Sequence, residues 1–205
     1  MKNKASKDVY GLPALVGIVG LAGSGKDVIA THLMSKYDYQ RIGLGDAVKE
    51  EVLKHFHSII KTEAERWYAE HIYEGRYTLE EAMYRLVWID KYYPVRELLQ
   101  SYATEVRRGD NPSYWTLRWV QRYVDRTGGN VVVPDVRFPN EVDLLTSWQG
   151  TIVRVLRPGC TPVNDHVSEQ LGEVSVNHTF VNDTTIKNLQ DQVEKWINGS
   201  AKNPS

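Results

Sequence analysis

The 205-residue sequence contains one cysteine, Cys160, and this scarcity excludes several kinds of protein. A single thiol forms no internal disulfide, so the chain is not a small scaffold held together by disulfides. A zinc site built from several thiolates is excluded for the same reason. Cysteine usage of this kind is typical of a reducing compartment, and we expect a cytoplasmic location.

The sequence also lacks a long apolar run and an excess of charge of one sign. The apolar stretch over residues 12–22 is too short for a membrane span, and no other segment reaches that length, so we expect no membrane association. Lys and Arg total 25 and Asp and Glu total 26, which gives a formal net charge of −1. A nucleic-acid polymer is therefore not an expected partner, and any polyanion site has to be local.

The pattern of apolar residues predicts an α/β protein. Strands that alternate with helices favour a three-layer, doubly wound parallel sheet, with ligands at the carboxyl ends of its strands. Residues 1–11 and 199–205 are expected to be frayed ends. Strands are expected at residues 14–19, 40–44, 131–135, 151–156 and 179–182, with helices up to about residue 37, from residue 47, and over 185–197.

The middle of the chain shows several long helical patterns and no convincing strand. The sequence T-L-E-E at 78–81 is a capping box that starts one of these helices. Trp115, Trp119 and Tyr123 recur at helical spacing, which favours packing over a surface for stacking bases. We therefore expect a helical lobe at about 55–128, inserted into an α/β core at about 12–54 and 129–198.

The most specific motif is the segment Gly20 to Asp27, which reads G-L-A-G-S-G-K-D and directly follows the first apolar strand. Glycines let the backbone wrap a phosphate and turn several N–H groups toward its oxygens, and the helix that follows adds the positive end of its dipole. Lys26 supplies a cation for the β- and γ-phosphates. This context favours a nucleotide-binding phosphate loop over a turn that merely connects strand and helix.

The position after the loop lysine normally carries a Ser or Thr whose hydroxyl binds Mg²⁺. Asp27 occupies it here, and Val28 after it has no hydroxyl either. A carboxylate is a hard oxygen ligand that suits Mg²⁺ directly or through water. Asp135, at the carboxyl end of a buried strand, is the second candidate for the metal shell. The alternative for Asp135 is the capping of a helix.

Cationic and amide side chains that could hold a phosphate occur in two segments. Arg137 follows Asp135 by two residues and can fork onto phosphate oxygens, although pairing with a neighbouring acid would be a structural alternative. Arg96, Gln100 and Arg107 fall on roughly one face of a uniform helix, at spacings of four and seven. A solvated charged face is the alternative for these three.

In combination these motifs resemble the deoxynucleoside monophosphate kinases of bacteriophages, which are P-loop kinases similar also to phosphomevalonate kinase. The resemblance extends over nearly the whole chain through the loop ending at Asp27, R-x-L-L-Q-x-x-x-T-E at 96–105, D-V-R-F-P-N-E at 135–141, R-V-L-R-P-G at 154–159, H-V-S-E at 166–169 and Asn182-Asp183. Two residues depart from this pattern: Val28, where a threonine is expected, and Pro134, where a small hydroxyl residue is common.

The resemblance implies one P-loop kinase domain that transfers the γ-phosphoryl group of ATP to a deoxynucleoside monophosphate with Mg²⁺, giving ADP and a diphosphate. It also implies a lid at about 158–172 and, for a phage protein, the host cytoplasm, and it leaves a homodimer open. It assigns ATP binding to Gly20, Ala22, Gly23, Ser24, Gly25, Lys26, Asp27, Val28, Asn182 and Asp183. It assigns the acceptor to Asp46, Lys49, Arg96, Gln100, Glu105, Arg107, Trp115 and Arg137, metal binding to Asp27 and Asp135, and catalysis to Lys26, Asp135, Arg137 and Arg157.

Two other functions stay open at this stage. A nucleoside monophosphate arrives with its nucleophilic oxygen already ionised and needs no general base. A P-loop kinase acting on a hydroxyl, such as a modified base or end of DNA or a small metabolite, would need one, and Asp46 is the candidate. A nucleotide-binding regulator without turnover is the other alternative, because the loop lacks its usual hydroxyl.

Overall fold

A computed structural model describes residues 12–90, 92–161 and 174–202. Its helices and strands, numbered along the chain, are β1 (Leu15–Val19), α1 (Lys26–Tyr37), β2 (Gln40–Arg41), α2 (Asp46–His55), α3 (His57–Trp67), α4 (Ala69–Tyr73), α5 (Leu79–Trp88), α6 (Tyr93–Ser101), a π-helix (Tyr102–Arg108), α7 (Tyr114–Asp125), β3 (Val131–Val136), α8 (Pro139–Ser147), β4 (Thr151–Leu156), β5 (His178–Val181) and α9 (Ile186–Lys202). Within these ranges, no helix has the length and apolar character needed to cross a lipid bilayer.

The chain divides into two compact units. The helical unit is Gly45–Trp115, and the core unit consists of the chain before and after it. The sequence-based boundaries at about 54 and 128 therefore differ from those of the compact units by ten or more residues. The difference arises because α2 packs against α3, α5, α6 and the π-helix, and so belongs to the helical unit.

The core unit contains a five-stranded sheet in which every pairing is parallel, in the order β2-β3-β1-β4-β5. Side chains of β1 alternate between its two faces. Val16 and Ile18 lie in one buried cluster with residues of α1 and α9, and Leu15 and Val19 lie in another with residues of α7 and α8. Helices therefore cover both faces, which confirms the predicted α/β fold.

The central position of β1 defines where a ligand can bind. Strand β1 pairs with β3 on one side and with β4 on the other. The direction of strand order reverses at this point, and in open parallel sheets ligands bind beyond the carboxyl ends of the strands there. The glycine-rich segment follows β1 directly and is therefore at that edge.

A bulge in β3 lies beside one of the candidate acids. Gly17 pairs with Val133 and Val19 with Val136, so β3 has one residue more than β1 over this stretch. Pro134 lies within the extra length and has no N–H to donate to a ladder. The bulge thus sets the local direction of the strand at Asp135, immediately after the proline.

Some of the predicted element boundaries are wrong. The second strand was expected over 40–44 but ends at Arg41, and the last strand begins one residue earlier than expected, at His178. The closing helix continues to Lys202, so the expected frayed end is wrong for residues 199–202. The expected frayed N-terminus and residues 203–205 lie outside the described residues.

The helical unit has its own apolar core. Val52, Ile60, Ala64, Leu86 and Trp115 are almost completely buried in it. The helix α5 begins with the predicted capping box, in which Thr78 Oγ1 accepts a hydrogen bond from Glu81 N and Glu81 Oε2 accepts one from Thr78 N. Among its described residues the unit contains helices and no strand, as the sequence predicts.

Helix α1, which carries the loop lysine, packs against α9 through a buried histidine. His32 Nε2 lies 3.4 Å from Glu194 Oε1, and Lys36 Nζ lies 2.6 Å from the same oxygen. Burial lowers the pKa of His32 below its ordinary 6.5, and the attraction of Glu194 opposes this shift without overcoming it. The imidazole is therefore favoured in its neutral form in the folded chain.

This pKa makes stability depend on pH. The unfolded chain protonates His32 more readily than the folded one, so the free energy of unfolding should fall as the pH drops through about 6.5. His32→Gln should reduce that fall, as measured by urea unfolding at pH 8 and pH 5.5. Substituting the exposed His57 by glutamine is the control. An equal loss of stability in wild type and His32→Gln would contradict this role.

Candidate functional site

The loop between β1 and α1 has a conformation that depends on glycine. The backbone φ is 77° at Gly23 and 110° at Gly25, both in the left-handed region where a Cβ is strained. The Gly25 carbonyl accepts hydrogen bonds from Val28 N and Ile29 N, which begin the helix. The loop residues expected to bind ATP therefore form one turn that leads directly into the positive end of α1.

Gly25 also leaves no space for a side chain. A Cβ at this position would lie 2.7 Å from Asn182 Nδ2 and 3.1 Å from Leu189 Cδ2. A Cβ at Gly23, by contrast, would have no atom within 4 Å. The close approach at Gly25 brings the end of β5 and helix α9 against the loop.

We expect Gly25→Ala to weaken ATP binding at least tenfold and to lower stability by about 1–3 kcal/mol, because it combines backbone strain with a steric conflict. Isothermal titration calorimetry and thermal unfolding measure the two effects. Gly23→Ala is the matched control, since it has a positive φ without the conflict, and it should lose less stability. Equal losses in both variants would show that the contact with Asn182 is unimportant.

Lys26 folds back over the loop. Its Nζ donates hydrogen bonds to Gly20 O and Leu21 O, both at 2.7 Å. These carbonyls belong to the turn that precedes the helix, so the ammonium group lies against the segment expected to bind phosphates. The position agrees with the role expected of the lysine in a phosphate loop.

Side chains from the ends of β4 and β5 also contact the loop. Arg157, directly after β4, donates from Nη1 to Gly23 O at 3.1 Å. Asn182, directly after β5, donates from Nδ2 to Ser24 O at 2.8 Å. The structure thus brings together Lys26, which the loop motif predicted, with Arg157 and Asn182, which the family resemblance assigned from distant segments of the chain. Asp183 is exposed.

Ser24 supplies a test of whether the loop fits a phosphate. Its Oγ is buried, and the described part of the chain offers it no hydrogen-bond partner. A buried hydroxyl usually has a partner, because burying it without one costs free energy. A hydroxyl inside a turn formed by glycines, in the loop whose carbonyls bind Lys26 Nζ, fits a loop that closes around phosphate oxygens.

Asp135 is fixed at the carboxyl end of β3. Its Oδ1 accepts a hydrogen bond from Leu44 N at 2.8 Å, and the side chain is half-buried. Asp135 does not cap the next helix, α8, because another acid holds the first turn of that helix. Asp135 is thus a carboxylate held near the end of β3, and β3 pairs with β1, the strand that leads into the phosphate loop.

The acid at the start of α8 is Glu141, which the sequence analysis did not count among the site residues. Its side chain is buried, and its Oε2 accepts hydrogen bonds from Arg137 N at 2.7 Å and Phe138 N at 3.1 Å. Glu141 thereby fixes the backbone that carries Arg137. A glutamate three residues after a helix cap is a recognisable signal of this contact.

Two carboxylates of the core unit could serve Mg²⁺. Asp27 is exposed in the first turn of α1, and Asp135 lies at the end of β3. In the described ranges, no group of three or more His, Cys, Asp or Glu could hold a metal ion. This donor set fits Mg²⁺, which keeps several waters and is usually bound by one or two carboxylates together with phosphates of a substrate.

The acceptor residues predicted in the helical unit fall in several places. Asp46 is buried and is the first residue of α2 rather than its cap. Lys49 Nζ lies 4.8 Å from the centre of the Trp88 ring, and Glu105 Oε2 accepts a hydrogen bond from Ser101 Oγ. Arg96 and Gln100 are half-buried on α6.

Trp115 does not have the exposure that a substrate contact requires. It is 1% exposed, and its Nε1 donates a hydrogen bond to Ala103 O at 2.9 Å. In the core unit, Trp119 is equally buried and donates from Nε1 to Ile42 O. The predicted packing role of the aromatic stripe is confirmed, and the assignment of Trp115 to the acceptor is wrong.

Arg107 is held by a buried acid that the sequence analysis did not identify. Its Nη2 lies 3.0 Å from Glu51 Oε2, and Tyr102 and Tyr114 donate hydrogen bonds to the two oxygens of the same carboxylate at 2.9 and 2.6 Å. Burial alone would raise the pKa of Glu51, but these hydrogen bonds and the charge of Arg107 together lower it. Glu51 is therefore a stable anion.

Some predicted features fall outside the described residues. The proposed lid at about 158–172 is described only as far as residue 161, and the H-V-S-E segment at 166–169 is not described. The lid therefore stays a prediction.

Comparison with known proteins adds independent evidence. The family model for deoxynucleotide monophosphate kinase matches residues 76–193 of the chain. The chain is also 26% identical, over 198 residues, to a protein of Acanthamoeba polyphaga mimivirus named "Putative deoxynucleotide monophosphate kinase". That match covers 92% of this chain and 98% of the viral protein. The similarity therefore extends through both compact units.

Proposed function

The chain belongs to the deoxynucleotide monophosphate kinase family, and from this premise we propose that it transfers the γ-phosphoryl group of ATP to a deoxynucleoside 5′-monophosphate, giving ADP and the diphosphate. The observation that carries this proposal is the loop from Gly20 to Asp27, on which Lys26, Arg157 and Asn182 converge. Backbone N–H groups at a helix start and two fixed cations suit a triphosphate.

The core unit supplies the groups that would bind ATP. The loop backbone would hold the phosphates, and Lys26 would exchange its hydrogen bonds to Gly20 O and Leu21 O for phosphate oxygens. Arg157, anchored on Gly23 O, would neutralise charge that develops during transfer. Asn182, anchored on Ser24 O, would lie near the adenine.

Asp27 and Asp135 would hold Mg²⁺, with Asp135 oriented by its hydrogen bond from Leu44 N. The ion, when bound, supplies positive charge to the β- and γ-phosphates. The loop hydroxyl that is absent at position 27 is replaced by a carboxylate of the same hard-oxygen chemistry. We propose that this replacement explains why the loop has an aspartate after its lysine instead of a serine or threonine.

The acceptor needs positioning rather than deprotonation. The phosphate of a nucleoside monophosphate is already ionised at neutral pH, so in-line attack requires alignment and neutralisation of charge. Arg137, whose backbone is fixed by Glu141, and Arg107, held by Glu51, are the arginines we assign to this acceptor. No general base is needed, so Asp46 does not act as a base in this mechanism.

The test is ADP production by the purified chain with Mg-ATP and each of the four common deoxynucleoside monophosphates. A DNA duplex serves as the hydroxyl acceptor in a parallel reaction. We expect turnover with one or more monophosphates and none with the duplex. Turnover with the duplex alone would replace the proposal by a DNA kinase, and ATP binding without turnover would leave a nucleotide-binding regulator.

A further inference from the structure

The arginine Arg107 is constrained along one edge of its guanidinium group. Its Nε donates to Tyr102 Oη at 2.9 Å and to Glu51 Oε2 at 3.2 Å, and its Nη2 pairs with the same oxygen at 3.0 Å. Within the described ranges, Nη1 has no hydrogen-bond acceptor. The opposite edge of the fork therefore keeps N–H groups that can bind a ligand.

The same guanidinium group also lies near two aromatic rings. Its Cζ lies 5.3 Å from the centre of the Tyr102 ring and 5.0 Å from that of Tyr114, which are cation–π distances. Both tyrosines donate their O–H groups to Glu51, so the rings are themselves fixed. Arg107 thus has few rotamers to lose when it binds a ligand, which favours affinity.

A π-helix produces this arrangement. Residues five apart in an α-helix point about 140° away from each other, because each residue turns about 100°. The wider π turn, with its i→i+5 hydrogen bonds, brings Tyr102 and Arg107 to one side, where they contact each other. Such π segments are rare and occur frequently at functional sites.

The cluster is asymmetric in its exposure. The side chain of Glu51 is 10% exposed and that of Arg107 is 31% exposed. The carboxylate is therefore nearly buried, whereas the guanidinium group reaches the surface. A buried ion pair is weak evidence for a contribution to stability, because removing both charges from water costs as much as their attraction returns. An arginine held at the surface by a buried acid is better explained by the binding of an anion.

We propose that Glu51 is a positioning residue that aims the free edge of Arg107 at the phosphate of the acceptor deoxynucleoside monophosphate. This inference rests on the proposed function. Arginine suits the task because its charge persists at all relevant pH values and its fork matches two phosphate oxygens. Glu51 itself acts through Arg107 and does not contact the substrate.

The test is a double-mutant cycle with the full chain, in which KM and kcat are measured separately for the monophosphate and for ATP. Glu51→Gln keeps the size of the side chain and one acceptor oxygen but removes the charge. We expect it to raise the KM for the monophosphate about tenfold and to leave the KM for ATP unchanged, because misplacing a positioning group weakens only its own substrate. Arg107→Ala should raise the same KM about 10²-fold.

The decisive variant combines both changes. If Glu51 acts through Arg107, adding Glu51→Gln to Arg107→Ala should leave the KM for the monophosphate where Arg107→Ala alone puts it. Arg107→Lys should give an intermediate value, since it keeps the charge but loses the fork. Additive effects of the two substitutions would overturn the proposal.

The helical unit offers a matched control cluster. Arg85 pairs with Asp90 and donates to Tyr68 Oη, with its Cζ 5.1 Å from the Tyr77 ring centre. Asp90→Asn therefore disturbs a similar cluster of arginine, acid and tyrosine, and we expect a KM for the monophosphate close to that of wild type. Equal effects of Asp90→Asn and Glu51→Gln would mean that both act through the fold, and the proposal would fail.

A milder variant keeps the test valid if Glu51→Gln does not fold. Tyr102→Phe retains the ring and removes the hydroxyl that bridges Glu51 and Arg107, and it should raise the KM for the monophosphate by about three- to fivefold. An unchanged KM in this variant would overturn the proposal. If wild type turns over monophosphates but Glu51→Gln keeps its KM, this inference alone fails. If wild type turns over none, the proposed function fails and this inference falls with it.

Discussion

Lys26→Ala lowers kcat by about 10³-fold in our account, because it removes the cation that neutralises the phosphates as charge develops during transfer. The fold should persist. Lys26 Nζ donates hydrogen bonds to the loop carbonyls of Gly20 and Leu21, and losing such bonds costs about 1 kcal/mol. Steady-state kinetics and thermal unfolding of the same preparation measure the two effects together.

The matched control for this variant is on the same helix. Lys36 lies in the last turn of α1 and pairs with Glu194 at 2.6 Å. Lys36→Ala removes the same charge from the same element, and it should reduce stability slightly without reducing kcat by more than about twofold. A Lys26→Ala enzyme with more than a tenth of wild-type kcat would contradict the assignment of the phosphate loop.

Asp135→Asn should lower kcat by about 10²-fold and raise the Mg²⁺ concentration that gives half-maximal rate, because it removes a charged ligand of the ion. The substitution removes the negative charge of the side chain but keeps its size and shape. An asparagine keeps an oxygen that can accept the hydrogen bond from Leu44 N, so the loop after β2 should remain in place. We therefore expect a melting temperature near that of wild type.

The control for this effect is Asp143→Asn on α8. Asp143 is exposed and lies eight residues further along the chain, outside the residues we assign to the site. Titrating Mg²⁺ in both variants and in wild type shows whether the requirement belongs to Asp135. Identical Mg²⁺ curves in wild type and Asp135→Asn would remove this residue from the metal shell.

Much of the core unit could be predicted from the sequence, because its signals are local. The run of valines at 131–133 indicates a strand buried on both faces. The structure confirms this, because Val132 lies in the apolar cluster on one face of the sheet and Val131 and Val133 lie in the cluster on the other face. The second strand was predicted too long for a reason that sequence patterns do not contain. After Ile42 the chain leaves the ladder, and the N–H of Leu44 binds the Asp135 side chain instead.

The site was predictable to a different extent in each of its parts. The phosphate loop is a contiguous motif, so its residues could be named directly. Arg157 and Asn182 came only from the family resemblance, and parallel topology explains why they meet the loop: each follows a strand that ends at the same edge. Glu51 was missed, because its contacts with Arg107 and Tyr114 span more than 50 residues.

The helical face that was expected to hold the acceptor shows the limit of spacing arguments. Placing Arg107 on one face with Arg96 and Gln100 assumes a uniform α-helix. The helix instead widens to a π-helix at Tyr102, which changes the direction of every side chain after it. No pattern in the sequence signals this change, so the partner of Arg107 could be found only from the structure.

The most direct test of the central claim follows the transferred group itself. The chain is incubated with Mg-ATP labelled in the γ-phosphate and with one deoxynucleoside monophosphate, and the products are separated by chromatography. Our account predicts label in the deoxynucleoside diphosphate, formed in a one-to-one ratio with ADP and almost absent with Lys26→Ala. Label that appears only in inorganic phosphate, or no release of label with any monophosphate, would contradict it.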